Sequence, residues 1–245
     1  MDSTTAKALN VLEYLVRANG PVRLSTIAAD LALQKSNVHR TLATLIAQGY
    51  VEQDRETDRY RPSLKLFELG SKVVSGHPAR RAAGPFMRDL HKSLGETINL
   101  YVLDNAAVLV IEKLLSPRPL RFTSHPGSRL PVATTAAGRA MLAYEPDPAT
   151  ILASAATVTP RGPVDEAEVL DSLEGIREAG YAEAVNSWSP GIFSIAAPII
   201  GSDQRAHAAI GVSGPIERQT DKNRQAIIEA LLAVSAQVAE STSQF

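Results

Sequence analysis

Apolar residues recur at helical spacing from the start of the chain. Between 3 and 19 they fall at Leu9, Leu12, Leu15 and Val16, and Gly20-Pro21 follows as a stop, which predicts a first helix. Ser25 is placed to cap a short second helix with Ile27, Ala28 and Leu31 inward, and Ala32-Leu33-Gln34 makes the turn to a third. In that third segment Val38, Leu42, Leu45 and Ile46 lie within about 100° of arc at 3.6 residues per turn, a stripe suited to packing on the first two helices. After Gly49 the pattern changes. Tyr50-Val51-Glu52 and Arg59-Tyr60-Arg61 flank the polar stretch from Asp54 to Asp58, which reads as a β-hairpin with a charged tip. Helix, helix-turn-helix and hairpin in this order predict a winged helix-turn-helix over 1–62.

Residues 63–76 place Leu66, Leu69 and Val73 on one face of a linker helix, and Gly76 to Pro78 breaks it. Ala79 to Leu94 resumes helical periodicity, with Pro85 starting or kinking its second half. From Thr97 two β-rich runs surround Asp104-Asn105, and they are too apolar for a half-solvated hairpin, so helices must cover the sheet. Ala136 to Tyr144, Asp165 to Glu178 and Lys222 to Glu240 supply those helices, and Ile192 to Ile200 and Ala206 to Ser213 add strands. The expected fold class is α+β, with a second domain over 77–245.

The exposed face of the third helix carries Arg40 nearly opposite the apolar stripe, with Ser36, Asn37, Thr41 and Thr44 beside it. These groups suit base edges in a major groove better than the Glu/Lys mix of an ordinary solvated face. Lys35, Ser36 and Asn37 offer N–H groups and side-chain donors to a phosphate at the helix start, and Arg55 and Arg59 in the wing can reach the minor groove or the backbone. His39, on the flank, is equally suited to a phosphate contact or to solvent. Winged helices also bind proteins, so a ligand-sensing interaction module without direct DNA binding is the alternative.

Composition narrows the classes. Hydrophobic residues make up 44% of the chain, enough for a core, and no stretch reaches the roughly 18 apolar residues of a membrane helix; a soluble cytoplasmic protein is expected. The absence of cysteine excludes disulfides, thiolate zinc sites and a cysteine nucleophile. The net charge is −1, but residues 1–75 carry +2 and the remainder −3, the sign expected if DNA is met by the first part. His39, His77, His91, His125 and His207 form no metal-ligand spacing, and no phosphate loop occurs, so neither metal nor cofactor is expected. Gly211-Val212-Ser213-Gly214-Pro215 approaches a nucleophile elbow but has proline in place of its last glycine, which argues against a hydrolase.

Several of these segments carry a family resemblance. Leu9-Asn10-Val11-Leu12-Glu13, Leu33 to Arg40, Gly49-Tyr50-Val51 and Leu66-Phe67-Glu68-Leu69-Gly70 resemble successive signatures of the IclR family of bacterial transcriptional regulators. Gly127 to Pro131, Ala137 to Ala143, Gly180-Tyr181-Ala182, Ile195 to Pro198 and Ser213-Gly214-Pro215 continue the match in order. The resemblance implies a GAF-like effector-binding domain, assembly as homodimers or homotetramers, and control, with repression the expected mode, of genes for small-molecule catabolism.

For the effector, Thr134 to Gly138 is a run of small side chains leading into a helix, where a carboxylate can approach the backbone. Close packing of that helix on the sheet explains the same run and, from the residues alone, is the preferred reading. The resemblance favours ligand contact at Thr135, Ala136 and Ala137, and it adds Ser194 and Ser213 as hydroxyl donors. Between Gly180-Tyr181-Ala182 and Gly191 the family usually carries acidic residues, whereas this chain has Asn186, Ser187 and Trp188. Their loss removes repulsion against an anion, and Trp188 is placed either to stack on an aromatic effector or to anchor a loop. The expected effector is an aromatic or otherwise hydrophobic carboxylic acid or close derivative.

Overall fold

The structure is a computed structural model that describes residues 3–120, 124–155, 158–159 and 162–241, and the chain divides into two compact units, 1–75 and 76–245. The first unit contains α1 (Ser3–Arg17), β1 (Val22–Arg23), α2 (Leu24–Asp30), α3 (Lys35–Ala47), β2 (Val51–Asp54), β3 (Arg59–Pro62) and α4 (Lys65–Gly76). Its core is built from Val11 and Leu15 of α1, Ile27 and Ala28 of α2, Val38, Leu42 and Leu45 of α3, and Val51 and Tyr60 of the hairpin.

Several sequence expectations change here. Leu9 and Val16 are both 55% exposed, while Val11 is fully buried, because α1 has two apolar faces and the expected stripe mixed them. Leu9 and Val16, seven residues apart, share the outer face. On α3 the inward stripe ends at Leu45 and Ile46 stands at its exposed edge. Ser25 is not the cap of α2: the helix starts at Leu24 directly out of β1, with Arg23 as N-cap and no side-chain cap bond. Strand β1 itself, only two residues long, completes a three-stranded wing of order β1-β3-β2. The wing turn is closed by Asp54, whose Oδ1 accepts from the N–H groups of Glu56 and Thr57 at 2.9 and 3.3 Å.

The second unit runs α5 (Pro78–Leu94), β4 (Thr97–Asp104), β5 (Ala107–Leu114), β6 (Arg129–Pro131), α6 (Ala136–Leu142), α7 (Pro148–Ser154), the short pair β7 (Val158–Thr159) and β8 (Gly162–Pro163), α8 (Glu166–Ala179), β9 (Ala182–Val185), β10 (Ile192–Ile200), β11 (Ala206–Pro215) and α9 (Asp221–Ser241). Helix α5 continues through Pro85 without ending there. Among the described residues, β6-β5-β4-β11-β10-β9 form one antiparallel sheet. Alternation along β4 and β11 sends Ile98, Leu100, Ile210 and Val212 to one face and Asn99, Tyr101, Gly211 and Ser213 to the other. Helices α5 and α9 cover the first face and α6 the second, with α7 and α8 packed behind α6 through Leu142, Leu152, Val169 and Leu173. Both faces are therefore buried, as such apolar strands require.

Two details fix the position of α6. Thr135 is its N-cap, accepting from Gly138 N–H at 3.2 Å and donating to the Pro131 carbonyl at 2.8 Å. At Gly138 a Cβ would stand 2.0 Å from the Val132 carbonyl oxygen and 2.6 Å from its Cα, so only glycine lets the helix fold back on the segment that precedes it. At the start of β4, buried Glu96 is held bidentately by Arg218 at 2.6 Å and by Arg118 at 2.5 Å, which compensates its desolvation and ties β4 to the turn after β11. Gly138→Ala is expected to destabilise the protein by about 1–3 kcal/mol or more; an unchanged denaturation midpoint would contradict this account of α6.

Candidate functional site

Helix α3 projects from the first unit with its apolar side committed to the core, so its polar side faces outward. Lys35, Ser36, His39, Arg40 and Thr44 are exposed, and Asn37 and Thr41 are half-buried at the edge of the contact with the core. The Asn37 carboxamide oxygen accepts from Arg40 Nη2 at 3.3 Å, which steers the guanidinium along the helix toward its N-terminal turn. Thr44 donates to the Arg40 carbonyl at 3.1 Å, so its hydroxyl proton is engaged within the helix and an acceptor lone pair and methyl group remain outward. Arg55 and Arg59 are exposed on the wing. Among the described residues Lys35, Arg40, Arg55 and Arg59 form no ion pair, whereas Arg61 is engaged by Glu52 at 2.9 Å. Four cations without counter-ions on one small unit are available to phosphates.

The structure adds Arg23. Its backbone pairs with Arg59 across β1 and β3, and both side chains line the groove between the wing and the start of α3 together with Lys35. The signal was an arginine beside a predicted helix, but a two-residue strand has no period to reveal its partner. Asp54, Glu56 and Asp58 line the same groove, so the wing presents both signs of charge.

In the second unit a cavity lies between the start of α6 and the sheet. Thr135, Ala136, Ala137, Trp188, Ser194 and Ser213 all line it, joined by Thr134 and Ser187 from the two segments the sequence had singled out and by Tyr101 and Leu130, which sequence reasoning had not assigned. Ser194 and Ser213 are directly paired across β10 and β11. Ser213 Oγ accepts from Asn99 Nδ2 at 3.3 Å, and Asn99 Oδ1 accepts from Ser124 Oγ at 3.2 Å. Gly211 leaves room for the Tyr101 ring, whose carbon would lie 3.2 Å from a Cβ there, and burial raises the Tyr101 phenol far above its ordinary pKa, so it stays protonated. The Ala136 and Ala137 N–H groups, in the first turn, have no partner among the described residues.

Asn186 is placed elsewhere. It does not line the cavity; its Oδ1 accepts from Gly191 N–H at 2.7 Å, and it adopts φ +57° while Gly191 adopts φ +74°. Its work is to close the loop 186–191 that carries Ser187 and Trp188 over the cavity. The cavity volume is about 30 Å³, room for only one or two water molecules. An organic ligand needs more room than this. In the small-residue run at α6, Gly138 serves the packing, and Ala136 and Ala137 are buried in the core cluster between α6 and the sheet while also lining the cavity. No cluster of three or more His, Cys, Asp or Glu side chains suited to a metal occurs among the described residues, and no helix among them is long and apolar enough to cross a membrane.

Residues 4–55 match the IclR helix-turn-helix domain, and residues 71–240 match the bacterial transcriptional regulator IclR C-terminal domain. A glycerol operon regulatory protein of Streptomyces coelicolor is 33% identical over 218 residues, 86% of this chain and 84% of its own. The HTH-type transcriptional repressor AllR of Escherichia coli K12 is 32% identical over 219 residues, 88% and 81% of the two chains. Among solved structures, the Thermotoga maritima IclR superposes with a TM-score of 0.77 at 25% identity, covering 99% of this chain and 100% of its own. An IclR homolog of Microbacterium hydrocarbonoxydans, complexed with 4-hydroxybenzoate, shares the fold with a TM-score of 0.80 at 24% identity, covering 97% and 98%.

Arg40→Ala is expected to weaken operator binding by about 1–3 kcal/mol if it reads a base, and to leave the melting temperature unchanged because its side chain supports no core contact. Full operator affinity in the folded variant would remove Arg40 from the contact set.

Proposed function

This chain belongs to the IclR family and is a DNA-binding transcriptional regulator, and we propose that its operator binding is controlled by a small organic carboxylic acid, aromatic or otherwise hydrophobic, taken up between α6 and the sheet. The observation that carries this reading is the chemistry of the cavity wall. None of the residues lining it is Asp, Glu, Lys, Arg or His, while Ser213, Ala136 and Ala137 bring to it a hydroxyl and two N–H groups with no acceptor among the described residues; the Ser194 hydroxyl, also on the wall, donates to the Ala184 carbonyl at 3.5 Å. Donors without a fixed opposite charge suit a single carboxylate, and the absence of acidic side chains spares that anion repulsion. Trp188 and Tyr101 supply flat apolar walls for a ring. The 4-hydroxybenzoate complex of the Microbacterium protein supports the size and class of ligand.

In this proposal Lys35, Ser36, Asn37, Arg40, Thr41 and Thr44 meet the DNA from α3, with His39 at the phosphate edge and Arg55 and Arg59 from the wing. Thr135 holds the helix start, Asn186 holds the loop, and Ala136, Ala137, Trp188, Ser194 and Ser213 meet the acid. Ligand entry displaces the 186–191 loop, and the two operator-binding states differ in whether that loop is closed. Coupling requires only that the acid bind the two states unequally. The exposed Leu9 and Val16 of α1 and Phe67 and Val73 of α4 favour association of copies through the first unit, which pairs two recognition helices on successive half-sites.

Ser213→Ala removes one donor to the carboxylate. It is expected to raise about tenfold the concentration of benzoate or hydroxybenzoate that half-shifts operator affinity, with operator binding in the absence of acid unchanged. An undiminished response in titrated gel shifts would reject Ser213 as a ligand contact.

A further inference from the structure

We propose that Thr134 selects the effector's second polar group, so that the acid bound here carries an uncharged hydroxyl or carbonyl besides its carboxylate; this rests on the acid-effector reading above. Thr134 lines the cavity, is only 6% exposed, and its Oγ1 has no hydrogen-bond partner among the described residues. Its neighbour Thr135 shows the contrast, with its hydroxyl both donating to Pro131 and accepting from Gly138. A buried hydroxyl left unpaired destabilises a fold, and valine would fill the same space without that cost. A hydroxyl kept in that position has a use when a ligand widens the cavity that Thr134 lines and brings it a partner.

The chemistry of that partner follows from the other polar groups. Ser124 donates to Asn99 Oδ1, which turns the amide so that Asn99 Nδ2 donates to Ser213 Oγ. The Ser213 proton is then left for the ligand, and the sheet side of the cavity presents a donor suited to a carboxylate. Thr134 comes from the α6 side, on the segment between β6 and α6, and offers both a proton and lone pairs. Lone pairs gain nothing from a carboxylate but accept readily from a ligand hydroxyl, while the proton serves a carbonyl. A second charged group is disfavoured because no ionisable Asp, Glu, Lys, Arg or His lines the cavity to neutralise it.

Calorimetric titration of the full chain with benzoate and with the 2-, 3- and 4-hydroxybenzoates tests this. At least one hydroxybenzoate is expected to bind the wild type about tenfold tighter than benzoate. Thr134→Val should bring that ratio close to one while leaving the benzoate affinity within about twofold, and Thr134→Ser, which keeps the hydroxyl, should restore the preference. If the valine variant does not fold, Thr134→Ala deletes the same hydroxyl and is read the same way. A preference that survives removal of the hydroxyl, or a wild type that binds no hydroxybenzoate better than benzoate, overturns the assignment of Thr134. Failure of all four acids to bind the wild type overturns the acid reading itself, and the assignment with it.

Discussion

An antiparallel sheet whose strands are apolar on both faces has to be covered twice, and the covering on one face decides where this protein can hold a ligand. Ile98, Leu100 and Ile210 are buried on the face that α5 and α9, a pair of long helices, pack against. The opposite face is covered by α6, a helix of seven residues whose entry is pressed against Val132 at Gly138. So short a helix cannot span the sheet. The gap at its start is closed by the loop 186–191 instead, and closure by a loop is reversible in a way that closure by a packed helix is not.

This arrangement gives the second unit one side of the cavity built on the sheet and another closed by a loop. Asn99, Ser124 and Ser213 form a buried hydrogen-bonded chain on the sheet, and Glu96 with its two arginines fixes the beginning of β4. Opposite them, Trp188 and Ser187 rest on the cavity from a loop whose ends, Asn186 and Gly191, both adopt left-handed backbone angles. In the proposed mechanism ligand recognition and loop displacement are one event, because the acid would gain its contacts only in a state where the loop has moved. In the first unit the same economy appears on α3, where Val38, Leu42 and Leu45 consume one face and leave the other free for DNA.

Much of this was legible in the sequence, for identifiable reasons. The hairpins, the long helices and the boundaries of α3 follow from periods sustained over many residues, and the turn at Asp104-Asn105 from residues that tolerate positive φ. Where two signals overlapped, the reading failed: α1 has two apolar faces, so Leu9 and Val16 were assigned to a core that Val11 and Leu15 form. Strands β1, β6 and β9 and helix α7 were too short to show a period. At the site, the run from Thr134 to Gly138 was visible as small residues, but its division into a packing glycine, a capping threonine, a threonine facing the cavity and two alanines lining it depends on how the chain folds back on Val132. Asn186 drew attention as a replaced carboxylate, and only the loop geometry reveals that its carboxamide binds Gly191.

The central claim is that one chain couples an acid in the second unit to DNA held by the first, and thermodynamic reciprocity tests it most directly. Operator affinity is measured with and without saturating acid, and acid affinity with and without saturating operator. The account predicts the same factor from both directions, on the order of 5- to 150-fold. An acid that binds free protein and operator-bound protein with equal affinity would contradict it.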